Sequence, residues 1–231
     1  MAILKIARLG HPVLVRKADP VTLGELATPE VQRLIDDMIE TMWDAPGVGL
    51  AAPQVHQSLR LFVMDPGKGG ERDEPSGLRV LVNPVLTFPS DERIRLWEGC
   101  LSIPGIRGQT ERFAEVEAKF LDREGLSQQA SFRGLPAVVV QHETDHLDGV
   151  FFLHRMPDLA RLAFEDELGR HDGVEVPHDG DAPAEGDTPD EIGAPDEGDA
   201  PHESDAQDES AETDVAGEAD EGAHSRSREL T

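Results

Sequence analysis

The chain has one cysteine in 231 residues, Cys100, and that scarcity excludes an internal disulfide framework. A lone thiol fits a reducing compartment. Long apolar runs are also missing: no window approaches the roughly 18 consecutive apolar residues of a membrane-spanning helix. The N-terminal run Met1-Ala2-Ile3-Leu4-Lys5-Ile6-Ala7-Arg8 meets charge too early for the apolar core of a signal peptide. The expectation is a cytoplasmic protein with no membrane partner. Basic residues are scarce as well, 21 Lys+Arg against 47 Asp+Glu, for a net charge of −26. A chain of that sign is repelled by phosphate backbones, so direct nucleic-acid binding is not expected.

The acidity is unevenly spread. Residues 171–231 hold 21 Asp+Glu against Arg226 and Arg228, a net of −19, which leaves the first 170 residues at only −7. The large apolar residues of that tail are Val174, Val176, Ile192, Val215 and Leu230. Such a segment cannot bury enough surface to offset its ordering entropy. The composition predicts a folded domain over residues 1–170 and a disordered acidic tail over 171–231. A solvated extension accounts for the tail more simply than an interaction module does.

Within the first 170 residues the clearest helix covers 29–45. Thr28 suits its N-cap and Pro29 its first position, and Gly47 is expected to end it. Val31, Leu34, Ile35, Met38, Ile39 and Met42 then form one apolar stripe, which reads as core. The loop Gly47-Val48-Gly49-Leu50-Ala51-Ala52-Pro53-Gln54 matches a dinucleotide-binding glycine pattern letter by letter. It follows a helix and runs into a proline, whereas that pattern needs a strand before it and a helix after it. Strands are expected at Leu59–Asp65, Arg79–Phe88, Glu115–Asp122 and Ser127–Phe132, with a polar loop from Pro66 to Gly77 and a turn at Asp122-Arg123-Glu124-Gly125. A second helix starts near Leu135-Pro136, and a third amphipathic stretch covers about Pro157–Leu168. Strands bunched between helices without βαβ alternation indicate an α+β fold, mostly antiparallel sheets packed around a central helix carrying an H-E-x-x-H pattern.

That pattern is Gln141-His142-Glu143-Thr144-Asp145-His146. Positions four apart share a helix face, so His142 and His146 can address one cation. Glu143 follows the first histidine and is placed to take a proton from a water polarised by that ion. Two imidazoles leave a divalent ion short of a protein ligand. In the metalloproteases with a third histidine six residues on, that residue is essential, and here Phe152 stands in its place. A glutamate further along, Glu165 or Glu167, is the solution of zinc endopeptidases. Cys100, within Glu98-Gly99-Cys100-Leu101-Ser102, is the remaining candidate, although a lone cysteine is more often a small buried hydrophobe.

The three segments in this order, Gly47 to Gln54, Glu98 to Ser102 and Gln141 to His146, resemble peptide deformylase over roughly residues 1–168. The resemblance implies hydrolysis of the N-terminal formyl group of formyl-methionyl nascent peptides, with formate released. A zinc endopeptidase using the same histidines and a downstream glutamate is the alternative. The resemblance also implies Cys100, His142 and His146 as ligands of one divalent ion, Fe(II) first, with Zn(II) or another ion able to occupy the site. Glu143 is then the base, and Gln54 with the Leu101 N–H the oxyanion donors. Gly49 would pair with the substrate backbone. Counting back along the helix from His142 reaches Val139, Val138 and Leu135, which with Val48 would wall a methionine pocket. Family members work near the ribosome exit, so transient ribosome proximity is a further implication. No role is carried onto Gly105–Arg112.

Overall fold

In the computed structural model, which describes residues 2–67 and 77–168, the long apolar stripe becomes the helix α2 (Pro29–Asp44), preceded by the single turn α1 (Leu23–Leu26). The Thr28 hydroxyl accepts from the Val31 N–H and caps α2. Ile35, Met38, Ile39 and Met42 are its buried residues at helical spacing. Gly47 does not end this helix. It stops at Asp44 with Ala45 as its cap, because Pro46 has no N–H and disfavours helical backbone before it. The Gly47 N–H instead bonds back to the Met42 carbonyl at 2.9 Å.

Eight strands are described: β1 (Gly49–Ala51), β2 (Leu61–Met64), β3 (Arg79–Thr87), β4 (Arg93–Cys100), β5 (Ile103–Phe113), β6 (Glu115–Leu121), β7 (Ser127–Arg133) and β8 (Leu162–Phe164). They form two sheets, ordered β1-β2-β3-β6-β7 and β4-β5-β8, with every pairing antiparallel. The helix α3 (Leu135–Leu147) packs against the larger sheet, and its residues from Ala137 to Leu147 are all buried. The fold is therefore mixed α and β, with antiparallel sheets and few helices.

The strand β2 shows why the layers stack this way. Alternate side chains point to opposite faces. Leu61 and Val63 pack with Met38 and Met42 of α2, while Phe62 and Met64 pack with Val139 and Val140 of α3. A strand buried on both faces reads as a continuous apolar run, which is what Leu61-Phe62-Val63-Met64 is. The turn expected after β6 is present, with Gly125 at φ +81°, a value that favours glycine, and the Asp122 carboxylate accepting from the Glu124 and Leu126 N–H groups.

Other expectations need correction. The stretch Pro157–Leu168 is not one amphipathic helix: it holds a 3-10 turn (Leu159–Arg161), β8 and the single helical turn α4 (Glu165–Leu168). Here Leu162-Ala163-Phe164 is recruited by backbone pairing to β5, with Phe164 opposite Ile106, so tertiary pairing overrides helical periodicity. The strands β1, β4 and β5 were not expected either. The segment 68–76 of the polar loop, the domain boundary at 170 and the acidic tail all lie outside the described residues. Among the described residues, no helix is long and apolar enough to cross a membrane.

Candidate metal centre

Strand β4 ends in Glu98-Gly99-Cys100, and side chains two apart on a strand share a face. Glu98 and Cys100 therefore both turn toward α3, where His142 and His146 are one helical turn apart. One nitrogen from each imidazole and the Cys100 Sγ all lie within 4.8 Å of one another, and all three residues are buried. The Cys100 Sγ is 3.2 Å from the His146 Nε2. The His142 Nδ1–H donates to the Glu98 carboxylate at 2.6 Å, which fixes the ring orientation and leaves Nε2 for the thiol side. Burial pushes the His146 pKa well down and keeps the ring neutral, the form that ligates. Burial also opposes a proton on His142, but hydrogen bonds and charge from Cys100 and Glu98 outweigh it and hold that pKa well up. An electron-rich pocket that retains a proton in this way is one a cation can take over.

Glu98 was not among the residues singled out from sequence, nor was Arg112, which holds it. Arg112 donates to the Glu98 carboxylate at 2.7 and 3.0 Å and to Asp145 at 2.6 Å, and Asp145 also accepts from Arg155 at 2.7 Å. Thr110 donates its hydroxyl to the same Glu98. Burial opposes the ionisation of Glu98, but the Arg112 charge and the hydrogen bonds from His142 and Arg112 keep its pKa far below the ordinary glutamate value. The one available signal was the spacing of Glu98 from Cys100, readable only once that stretch is taken as a strand. Removing one partner of such a buried pair costs about 3–5 kcal/mol. Arg112→Met should therefore lower the Tm by roughly 10 °C or more, measured by calorimetry. A shift of only a degree or two would show that the network contributes little.

A cleft of about 380 Å³ opens onto this cluster, lined among others by Val48, Gly49, Gln54, Leu101, His142 and Glu143. Leu135, Val138 and Val139 lie along the same cleft. The Glu143 Oε2 is buried with no hydrogen-bond partner among the described residues. Burial pushes the Glu143 pKa up to about 7. Gln54, 1% exposed, sits in the 3-10 turn Ala52–Val55 that follows β1. Its carbonyl oxygen accepts from the Ala51 N–H at 2.8 Å, which turns the amide NH₂ toward the Ser102 hydroxyl at 3.3 Å and the Cys100 Sγ at 3.7 Å. Gly49 lies directly under the base: a Cβ there would meet the Glu143 Cδ at 2.8 Å and Cγ at 2.9 Å. Gly49→Ala should displace that carboxylate and lower kcat about 10²-fold, as ångström-scale misplacement does, with metal content unchanged. Turnover near wild type would mean that Glu143 need not sit where it does.

The cleft wall opposite α3 comes from a large bulge where β4 meets β5. Cys100 pairs with Ile103, but Gly99 already pairs with Arg107, so Pro104-Gly105-Ile106 loops out into the cleft. Glu165, the alternative ligand, is not in the cluster: it bonds to Arg107 at 2.8 Å. The donor set of one thiol and two imidazoles, with an unsatisfied carboxylate oxygen beside it, suits a divalent ion.

A buried Cys-His-His cluster that could hold one metal ion, with Cys100, His142 and the Glu143 carboxylate lining a cleft, is the arrangement of a mononuclear metallohydrolase. The profile for "Polypeptide deformylase" matches residues 3–162. Peptide deformylase 2 of Xanthomonas campestris is 41% identical over 170 residues, covering 74% of this chain and 96% of that one. The Met-Ala-Ser-bound class I type b peptide deformylase of Acinetobacter baumannii has a TM-score of 0.60 and 38% identity, covering 67% of this chain and 99% of that one. The peptide deformylase of Thermotoga maritima has a TM-score of 0.62 and 37% identity, covering 68% and 100%. This chain belongs to the polypeptide deformylase family.

Proposed function

We propose that this chain hydrolyses the formyl group from the N-terminus of formyl-methionyl nascent peptides, releasing formate and a free amine. The observation that carries this reading is the convergence of Cys100, His142 and His146 within 4.8 Å, with Cys100 and His142 lining a cleft of about 380 Å³. A relative crystallised with Met-Ala-Ser, a peptide beginning with the methionine that deformylation would expose, supports the substrate class.

Cys100 as thiolate, with neutral His142 and His146, would hold one divalent ion and leave a position open for solvent. Such an ion would supply Lewis acidity, to a water molecule and to the formyl oxygen. A thiolate ligand offsets part of the ion's charge, so a neighbouring carboxylate is needed to take the proton. Glu143 does this, through the Oε2 that has no hydrogen-bond partner among the described residues. The water oxygen bonds to the formyl carbon, the carbon–nitrogen bond breaks, and Glu143 returns the proton to the departing amine. The Gln54 amide, pre-aimed by Ala51, and the Leu101 N–H are the assigned donors to the oxyanion, each worth about 2.7–4 kcal/mol of barrier in comparable sites. Gly49 pairs with the substrate backbone as an added strand. Val48, Leu135, Val138 and Val139 take the methionine side chain.

Thiolate and imidazole donors together suit several divalent ions, and Fe(II) is our assignment, with Zn(II) able to substitute. The catalytic domain is placed at residues 1–170, in the cytoplasm, with transient access to the ribosome exit and no direct contact with RNA. Truncation after Arg170 is accordingly expected to leave turnover of short formyl-peptides unchanged. The deciding experiment is formate release from a formyl-Met tripeptide by anaerobically purified protein. Formate in step with new free amine is expected, whereas cleavage at internal peptide bonds would overturn the reading.

A further inference from the structure

The two donors assigned to the oxyanion come from different sheets. Gln54 lies in the turn after β1, of the five-stranded sheet, and Leu101 lies where β4 turns into β5, of the three-stranded one. A strap formed by residues 2–9 ties the two together through its backbone. The Ala7 N–H donates to the Gln54 carbonyl at 2.7 Å, and the Leu9 N–H donates to the Ser102 carbonyl at 2.9 Å. Ala7, 2% exposed, packs in the same cluster as Cys100 and Ile103, which fixes the strap against the site. Both ends of the strap are anchored. The Ala2 and Leu4 N–H groups donate to the Asp37 Oδ1 at 2.6 Å and the Thr41 Oγ1 at 2.8 Å, both on α2. Just beyond the other end, the His11 ring packs edge-on against His56, the residue after the Gln54 turn, with centroids 4.6 Å apart.

Ser102 is where the strap meets the chemistry. It is buried, its carbonyl accepts from Leu9, and its hydroxyl accepts from the Gln54 amide at 3.3 Å. A primary amide has two N–H donors. With its oxygen taken by the Ala51 N–H and one donor taken by Ser102, the Gln54 side chain has one orientation. Its Nε2 then lies 3.7 Å from the Cys100 Sγ, with the second N–H left for an oxyanion. Leu101 adjoins Ser102, so a carbonyl held in place at Ser102 also steadies the other donor. Resting on the deformylase reading, we infer that the strap, acting through Ser102, sets the spacing between the two oxyanion donors. Leu9 and Ser102 are thus positioning residues, which act through Gln54 and Leu101.

The test is steady-state kinetics of the full chain on a formyl-Met tripeptide, with rates referred to bound metal so that any unfolded fraction cancels. Leu9→Pro deletes the N–H that holds Ser102, while the Leu9 side chain, 50% exposed, has little packing to lose. Its kcat should fall about tenfold to 10²-fold, the range that misplacement by about an ångström produces. KM and metal content should hold, because only the transition state is affected. Leu9→Ala keeps the N–H and should keep the parent kcat. Ser102→Ala should cost a similar factor in the parent enzyme and less than about twofold in a Gln54→Ala background, because the hydroxyl acts through that amide. This second pair decides the matter if Leu9→Pro does not fold. Wild-type kcat in Leu9→Pro or Ser102→Ala, a Leu9→Ala loss equal to that of Leu9→Pro, or a Ser102→Ala loss of the same size with and without Gln54, overturns the inference while formate release continues. No formate from the wild-type protein overturns the deformylase reading and this inference together.

Discussion

Replacing Cys100 with alanine should yield a folded protein that binds little metal and releases almost no formate. Cys100 is 9% exposed and packs among Ala7, Leu14, Ile103 and Phe152, so the loss of one small side chain leaves that cluster closed. Cys100 is the one member of the three-donor group that can ligate as an anion. Losing a residue that merely orients a ligand costs about 10–100-fold in metal affinity, and losing a ligand itself costs more. Without the ion, several kcal/mol of transition-state stabilisation disappears. At about 1.4 kcal/mol per tenfold, that is a drop of about 10³-fold or more in kcat. Metal analysis and formate assay on one sample check both halves. An alanine variant that keeps stoichiometric metal and full turnover would show that a different third donor completes the site.

Glu143→Gln should show the opposite combination, with metal retained and turnover lost. The amide fills the same space but accepts no proton, so kcat should fall about 10²–10⁴-fold. The wild-type pH profile carries the same signature. Glu143 must be ionised to act, so kcat/KM should fall as pH drops through its pKa. Burial sets that pKa near 7, and His142 and Arg112 lower it while Glu98 raises it. A divalent ion alongside favours the carboxylate, so the acid limb of the metal-loaded enzyme lies below 7. For stability the sign is reversed. A carboxylate whose folded pKa exceeds its ordinary 4.5 favours the folded metal-free chain most below 4.5, and that contribution is lost as pH rises through about 7. A Glu143→Gln variant with wild-type kcat, or an acid limb that survives the substitution, would remove Glu143 from the chemistry.

Where the sequence could be read, a single local rule decided the matter. The stripe from Ile35 to Met42 repeats at helical spacing and forms α2. The runs beginning at Leu61, Arg79 and Glu115 are strands that bury alternate or successive apolar side chains, whereas the run at Ser127 buries only Phe132 and is held by pairing to β6 along its length. His142 and His146 share a face because they are four apart on α3. What stayed hidden depends on long-range pairing. Strand β5 carries Arg107, Thr110 and Arg112 as buried residues, so it lacks the apolar alternation by which strands are recognised. Its reason to be buried is the charge of Glu98 and Asp145, which lie in β4 and α3. Strand β8 likewise exists only because β5 offers an edge. The carboxylate that orients His142, Glu98, was missed for this reason, and Glu165, read as a possible metal ligand, is instead bonded to Arg107.

The central claim is that one sulfur and two imidazole nitrogens hold a single ion. X-ray absorption at the metal edge of anaerobically purified protein tests it most directly. The account predicts one sulfur near 2.3 Å and two nitrogens near 2.0–2.1 Å if zinc is loaded, with a lighter scatterer completing the shell. A shell of nitrogen and oxygen alone, with Cys100 reduced and unmodified, would contradict it.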